Sequence, residues 1–281
     1  MAATLALVFR QELRQTDAMP KSDVTPIYTA DNCKAAYQLN WSLAIFWREA
    51  VQTANWLAEL QVATERDGVR VLEHRFLKPG VSQLLLSSRP HVSPERLVWS
   101  VKGRLQHLVR REHPKAFRRN YGLRSVGSAS REVVEQYVGS QTSHHLMSDR
   151  SVQEMVHSLQ INNPQTDLSE ARRSGHALYW YNLHVCFVNE GRCREVRRAT
   201  LQAMRNMILR AAEKKKHLLS RTGILTDHLH LALACNLQES PADVALSYMN
   251  KLAYVCGSKQ VFSFGFYVGT FGEYDLGATR L

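Results

Sequence analysis

Nothing in this 281-residue chain supplies a disulfide framework, and long apolar runs are missing. The five cysteines (Cys33, Cys186, Cys193, Cys235 and Cys256) are an odd, scattered set with no C-x-x-C pair. Such a set argues for reduced thiols in a cytoplasmic protein. No apolar run approaches the roughly 20 residues a membrane-spanning helix needs, so no membrane partner is expected. Met1 to Arg14 carries an apolar patch at Leu5 to Phe9, without a basic region before it or a small-residue cleavage site. It reads as a strand or short helix and not as a signal peptide. Acidic residues are also scarce: 25 Asp and Glu stand against 36 Lys and Arg, a net charge of +11. A basic protein attracts polyanions, of which nucleic acid is the commonest in a cytoplasm. What the chain does have is 44% hydrophobic residues, enough for one large core or two ordinary ones.

An internal repeat organises that material. The segment from Ser93-Pro94 to Leu105 returns 147 positions later as Ser240-Pro241 to Leu252, without a gap, and Ser100 matches Ser247. Ser followed by Pro is a good helix start, the hydroxyl capping and the ring preset for the first turn. The same offset lays Gly80 to Leu86 on Asp227 to Leu233, two apolar strands. Tyr121-Gly122-Leu123-Arg124-Ser125-Val126-Gly127 resembles Phe266 to Gly272 at an offset of 145, and Leu39 to Trp47 resembles Tyr181 to Asn189. Each half reads strand, helix, strand, helix, strand. The fold expected is α+β, two tandem ferredoxin- or RRM-like domains, each an antiparallel sheet with helices packed on it. We assign 1–33 to a lead segment, 34–160 to the first half, 161–175 to a polar linker with Pro and Gly, and 176–281 to the second half.

The halves differ where chemistry is concerned. In the second, His228-Leu229-His230 lies on a strand, where alternate residues share a face, so both imidazoles project together. Two neutral imidazoles side by side suit a metal ion. The first half has Val81-Ser82-Gln83 there. It continues instead into an amphipathic helix, Ser130 to Gln141, on which Tyr137 and Gln141 stand four apart on one face. The counterpart of Tyr137 would fall at position 282, past Leu281, so the second half is expected to lack this helix. Taken singly, two strand histidines or one helical tyrosine are ordinary core residues; their places in the repeat are what make them candidates.

With these residues in view, the sequence resembles the single-tyrosine transposases of the HUH superfamily (His, hydrophobic, His), the group that includes the REP-associated tyrosine transposases. The resemblance rests on His228-Leu229-His230, Val101-Lys102-Gly103-Arg104, Arg124-Ser125-Val126-Gly127 and Tyr137-Val138-Gly139-Ser140-Gln141, and covers roughly Tyr37 to Gln141 and Tyr181 to Arg280. Family members are often homodimers in which one subunit lends its tyrosine helix to the histidine pair of the other. The resemblance therefore implies a fused pseudo-dimer with one composite site, monomeric because the fused halves occupy the dimer surface. It implies Tyr137 as the nucleophile that forms a 5′-phosphotyrosine, with His228, His230 and the Gln141 amide oxygen as ligands of Mg²⁺ or Mn²⁺. The implied activity is a metal-dependent transposase or nickase that cleaves and rejoins single-stranded DNA bearing hairpins, in a nucleoid-associated setting in the cytoplasm. The alternatives are a domesticated nickase, a catalytically inactive hairpin-binding module, and a hydrolase that uses a metal-bound water. Two basic stretches flank this constellation. Lys102, Arg104, Arg110, Arg111, Lys115, Arg118, Arg119 and Arg124 form the expected phosphate-tracking groove, and Arg192 to Arg221 is the second stretch.

Overall fold

The computed structural model describes residues 25–273. The expectation for Met1 to Arg14 lies outside the described residues. In chain order, β1 (Lys34–Gln38) runs into β2 (Asn40–Trp47), followed by α1 (Leu57–Glu65), β3 (Val69–Lys78), β4 (Val81–Ser88), α2 (Pro94–Val109) and β5 (Phe117–Val126). A connecting region holds α3 (Arg131–Gly139), α4 (Gln141–His144), α5 (Arg150–Ser158), β6 (Ile161–Asn162) and β7 (Arg172–Ser174). Then β8 (Ala177–Trp180) runs into β9 (Asn182–Asn189), followed by α6 (Arg198–Lys215), β10 (Leu218–Ile224), β11 (His228–Ala234), α7 (Pro241–Val255) and β12 (Phe262–Thr270). No described helix is long and apolar enough to cross a membrane.

The protein is α+β, with two six-stranded sheets ordered β3-β4-β2-β5-β8-β7 and β1-β12-β9-β11-β10-β6. Within each, the four strands of one half have the ferredoxin-like order, the last beside the first and the hairpin on the far side. The element order in each half is strand, helix, hairpin, helix, strand. The sequence reading missed one strand per half, β3 and β10. In β3, the run Val69-Arg70-Val71-Leu72-Glu73-His74-Arg75 breaks its alternation, and the pairing with β4 shifts register twice along it. The polar stretch 161–175, read as a linker, contributes a strand to each sheet, β6 to one and β7 to the other.

Alternation divides each sheet into a helix-covered face and an open one. Trp41, Leu43, Ile45, Leu84 and Leu86 turn one way and meet Leu97, Val98, Val101 and Leu105 of α2, all at most 1% exposed. Leu183, Val185, Leu229, Leu231 and Leu233 do the same under Val244, Tyr248, Met249 and Leu252 of α7. Helices α2 and α7 start as Ser-Pro predicts: Ser93 accepts from Arg96 N, and Ser240 forms a capping box with Asp243.

The halves are joined by reciprocal contacts. β1 pairs in parallel with β12, and β8 pairs in parallel with β5, so each half lends a strand to the other's sheet. Between the strand ends, Ser125 Oγ donates to Phe271 O (3.0 Å) and accepts from Asn182 N (3.0 Å). At the equivalent place Thr270 Oγ1 donates to Val126 O (2.7 Å) and accepts from Asn40 N (2.8 Å). The glycine that closes each Ser-Val-Gly or Thr-Phe-Gly turn is required by proximity: a Cβ on Gly127 would lie 2.4 Å from Thr270 O, and one on Gly272 would lie 2.8 Å from Ser125 O. The helix starts repeat the pattern, with Glu95 N donating to Leu237 O (3.1 Å) and Ala242 N to Pro90 O (2.9 Å).

Candidate functional site

The open face of the second sheet is where the two halves meet over polar groups. Helix α3, built on the first half, is capped by Ser130 and seats Val134 and Val138 on that face against Ala232 and Ala234. Those two alanines leave room for a helix to approach. Glu135 accepts a short hydrogen bond from Ser220 Oγ of β10, which fixes the helix's rotation. Tyr137, three residues after Val134, flanks the same side of α3 and is 47% exposed. Its ring lies edge-on, 5.6 Å from the ring of His230 and 5.9 Å from that of His184.

The sequence predicts one continuous helix from Tyr137 to Gln141. The structure instead ends α3 at Gly139 and begins α4 after Ser140. Gln141 still folds back: its Nε2 donates to Tyr137 O (2.9 Å). A carbonyl can only accept, so the amide nitrogen is committed to it and Oε1 faces away. That oxygen is buried and has no hydrogen-bond partner. The Gln141 side chain lies on Gly223, where a Cβ would come within 2.8 Å of its Cγ, and Gly223 is the cross-strand partner of His230.

His228 and His230 project from β11 on the same face, ring centroids 5.1 Å apart. Each is held through Nδ1. His228 Nδ1 lies 2.7 Å from Asp227 Oδ1, and Asp227 is held in turn by Arg192 Nη1 at 3.3 Å. Burial alone would raise the Asp227 carboxyl; the hydrogen bonds and charges of His228 and Arg192 outweigh it and leave it below its ordinary value. His230 Nδ1 lies 3.0 Å from His184 Nε2. Burial, then the neighbouring His184, His228 and His145, bring His230 down to about 3. Burial brings His184 down to about 4. Both are therefore neutral imidazoles near pH 7, the form that ligates metal. With Nδ1 occupied, Nε2 is the nitrogen each of His228 and His230 has left to offer; Cys186 Sγ approaches that of His230 at 3.9 Å. Among the described residues no group of three or more His, Cys, Asp or Glu side chains is arranged to hold a metal ion. The donors assembled here are two imidazoles and one amide oxygen. An unpartnered buried oxygen near two oriented histidines fits a divalent cation with positions left open.

The matching place in the first sheet has lost this character. Gln83 stands where His230 does and Ser42 where His184 does, and Gln83 Nε2 donates to Ser42 Oγ at 2.8 Å. Val81 replaces His228.

The basic residues expected in a groove are spread differently. Lys102 is half-buried, donates to Arg118 O (2.9 Å) and Arg119 O (3.3 Å), and ties α2 to β5. Arg104 pairs with Asp67 (3.0 Å), and the Arg124 guanidinium stacks 4.3 Å over the Trp180 ring. Arg110, Arg111, Lys115, Arg118 and Arg119 are exposed on the end of α2, the following loop and the start of β5. Sequence reasoning left Asp227 out and missed His184, Gly223 and His145, whose ring lies 4.9 Å from that of His228. His184 was within reach: the repeat lays it on Ser42, a second polar residue on the open face.

The fold and the open-face constellation define a class, the α+β proteins that set a tyrosine helix against a paired-histidine strand. The comparisons reach part of the chain: residues 58–141 match the family model described as transposase IS200 like. No curated protein matches the sequence. A solved structure of a REP-associated tyrosine transposase bound to a REP hairpin is 14% identical over 37% of this chain, with a TM-score of 0.30. The chain spans 63% of that protein, and at that degree of likeness nothing about this one follows from it.

Proposed function

We propose that this protein is a single-tyrosine DNA strand transferase, a fused pseudo-dimer whose one active site takes Tyr137 from residues 34–160 and His228 with His230 from residues 176–281. The observation that carries the proposal is the seating of α3 on the other half's sheet. It brings an exposed tyrosine edge-on to His230 and buries the unpartnered amide oxygen of Gln141, whose side chain packs on Gly223 of the adjacent strand.

Tyr137 Oη attacks the scissile phosphorus, the new Tyr–O–P bond forms, and the bond to the 3′-oxygen breaks. The products are a 5′-phosphotyrosine and a free 3′-hydroxyl, which takes up the proton the phenol gives away. Because the phosphodiester energy stays in the covalent link, a 3′-hydroxyl can attack it in reverse and rejoin the strand without a nucleotide cofactor. His228 Nε2, His230 Nε2 and Gln141 Oε1 would hold Mg²⁺ or Mn²⁺, which supplies Lewis-acid activation and orientation of the phosphate when bound. Asp227 and His184 keep the two imidazoles in the tautomer that presents Nε2, and Gln141 ties that ligand set to the backbone of the nucleophile itself. The substrate is single-stranded DNA with hairpins, tracked by Arg110, Arg111, Lys115, Arg118 and Arg119. The protein acts as a monomer in the nucleoid-bearing cytoplasm. One site per chain makes one covalent link at a time.

A covalent-capture gel tests this. Full-length protein, Mn²⁺ and labelled hairpin-bearing single strands are mixed and denatured. The expected result is a shifted protein–DNA band that is absent in Tyr137→Phe and in His228→Ala. Cleavage that persists in Tyr137→Phe would sink the tyrosine mechanism in favour of hydrolysis, and binding with neither cleavage nor adduct would leave an inactive binding module.

A further inference from the structure

Three exposed arginines come together from three segments that sequence density does not single out. Arg66 follows α1, Arg89 follows β4, and Arg96 lies in the first turn of α2. They line one groove of about 430 Å³ on the outer face of the first half, with His91 and Trp99. All three arginines are exposed, and among the described residues none is ion-paired to a carboxylate. The groove's own acid, Asp67, is already taken by Arg104 and by Ser100 Oγ (2.6 Å). Trp99 is 63% exposed, an indole that the fold has not used. Arg96 and Trp99 are three apart on α2 and so share a face. The floor is fixed: Gly68 takes a positive φ of 76° and accepts from Arg89 N (2.9 Å), and Val92 N returns to Arg89 O (3.1 Å).

The internal repeat supplies the control. At the offset of 147, Arg89, Arg96 and Trp99 fall on Asn236, Asp243 and Leu246. In the second half these places serve the fold. Asn236 binds Lys215 O, Asp243 caps α7 and Leu246 is buried. The same site is thus closed and acidic in one half, open, cationic and aromatic in the other. Helix stability asks for the first set, as the second half demonstrates, and gives no reason for the second.

We propose that this groove is a second DNA-binding site, apart from the tyrosine site, that takes single-stranded DNA with a base stacked on Trp99 and the adjoining phosphates on Arg66, Arg89 and Arg96. A flat indole flanked by unpaired guanidiniums matches the alternation of π-faces and phosphates in an unpaired strand, and stacking is tolerant of sequence. The choice of DNA over RNA rests on the proposed strand-transfer activity. Because only one half carries the groove, the strand enters the molecule from one side.

The test is anisotropy of a labelled oligothymidylate with the full chain, across a range of salt. Trp99→Ala is expected to weaken binding about ten-fold. Arg89→Asn with Arg96→Asp, which copies residues that fold in the second half, is expected to lower the slope of log affinity against log salt by about 1.4. Affinity and slope within two-fold of wild type in both variants would overturn the proposal, as would tighter binding of oligouridylate than oligothymidylate. The two readings fail separately. Variants that lose affinity in a protein that never forms the Tyr137 adduct would uphold the groove and sink the catalysis; a normal adduct with no effect of the groove variants would do the reverse.

Discussion

Gly223 is where packing and chemistry can be separated. A methyl group there would stand 2.8 Å from Gln141 Cγ, 3.2 Å from Gln141 Cβ and 3.1 Å from Val138 O. Carbon atoms pack at about 3.5–4.0 Å, so Gly223→Ala asks for roughly half an ångström to one ångström of relief. Gln141 is 1% exposed and has nowhere to turn, and Val138 O belongs to the backbone of α3. The relief must come from lifting the α3–α4 junction off β10. Overpacking of this kind costs about 1–3 kcal/mol, which in a chain of this size lowers the melting temperature by about 2–12 °C. The same lift carries Tyr137 and Gln141 away from His230. Misplacing a reacting group by about 1 Å costs about 100-fold, so the rate of adduct formation should fall by about 10- to 100-fold. Thermal unfolding and the initial rate of adduct formation in Mn²⁺ read the two effects. A Gly223→Ala protein with wild-type rate and melting temperature would refute the packing argument. If Gly223→Ala slows the reaction equally in the Gln141→Ala background, the collision does not act through Gln141.

Three other perturbations follow from the geometry. His184→Ala removes the group that holds His230 Nδ1 and should weaken Mn²⁺ binding about 10- to 100-fold by titration calorimetry; unchanged affinity would show that β9 plays no part in orienting the ligand. For Glu239, burial raises the carboxyl, but hydrogen bonds from His217 (2.6 Å) and Lys215 prevail and bring it from 4.5 down to about 2. A lowered value stabilises the fold above about pH 5, by up to about 3 kcal/mol, and that contribution is lost as the pH falls toward 2. Glu239→Gln should therefore melt lower than wild type at pH 7 and lose less stability between pH 5 and pH 3, and parallel pH curves would contradict this. Ser125→Ala and Thr270→Ala each strand a buried N–H and C=O at the junction of the halves, and each should cost about 1–3 kcal/mol in denaturant unfolding; a loss confined to one of them would show that the reciprocal bonds are not equivalent.

The sequence made the repeat legible because its offsets are physical. Ser-Pro helix starts and apolar strands must keep register with the sheet they cover, so the matches at 147, 145 and 142 positions survive as cross-strand pairs: Ala44 with Gln83 in one sheet, Cys186 with His230 in the other. Tyr137, Gln141, His228 and His230 could be picked out for the same reason, each standing at a place where the other half differs. The exchange of β1 and β8 was not legible, since a short strand's pattern does not say which sheet it joins. Nor was the use made of the basic residues. Composition counts Lys102 and Arg104 as readily as Arg66 and Arg89, but the first pair is spent on backbone carbonyls and Asp67 while the second has no ion-pair partner among the described residues. Charge density along a chain reports attraction to polyanions, and only the fold decides which charges are left to exert it.

On the proposed reading, the Ser-Val-Gly turn is as much a part of the active site as the tyrosine. Tyr137 reaches His230 because α3 leaves β5 at that turn and crosses to the other half's sheet. The turn's own direction is set by Ser125 on Phe271 O and by the bare Cα of Gly127 against Thr270. A Cβ at Gly127, 2.4 Å from a backbone oxygen, cannot be relieved by a side-chain rotation. It must part the two halves or tilt α3, and either motion opens the distance between nucleophile and histidines without touching any of them. On that reading the nucleophile and the histidines come from different halves, so the junction between the halves and the chemistry stand or fall together.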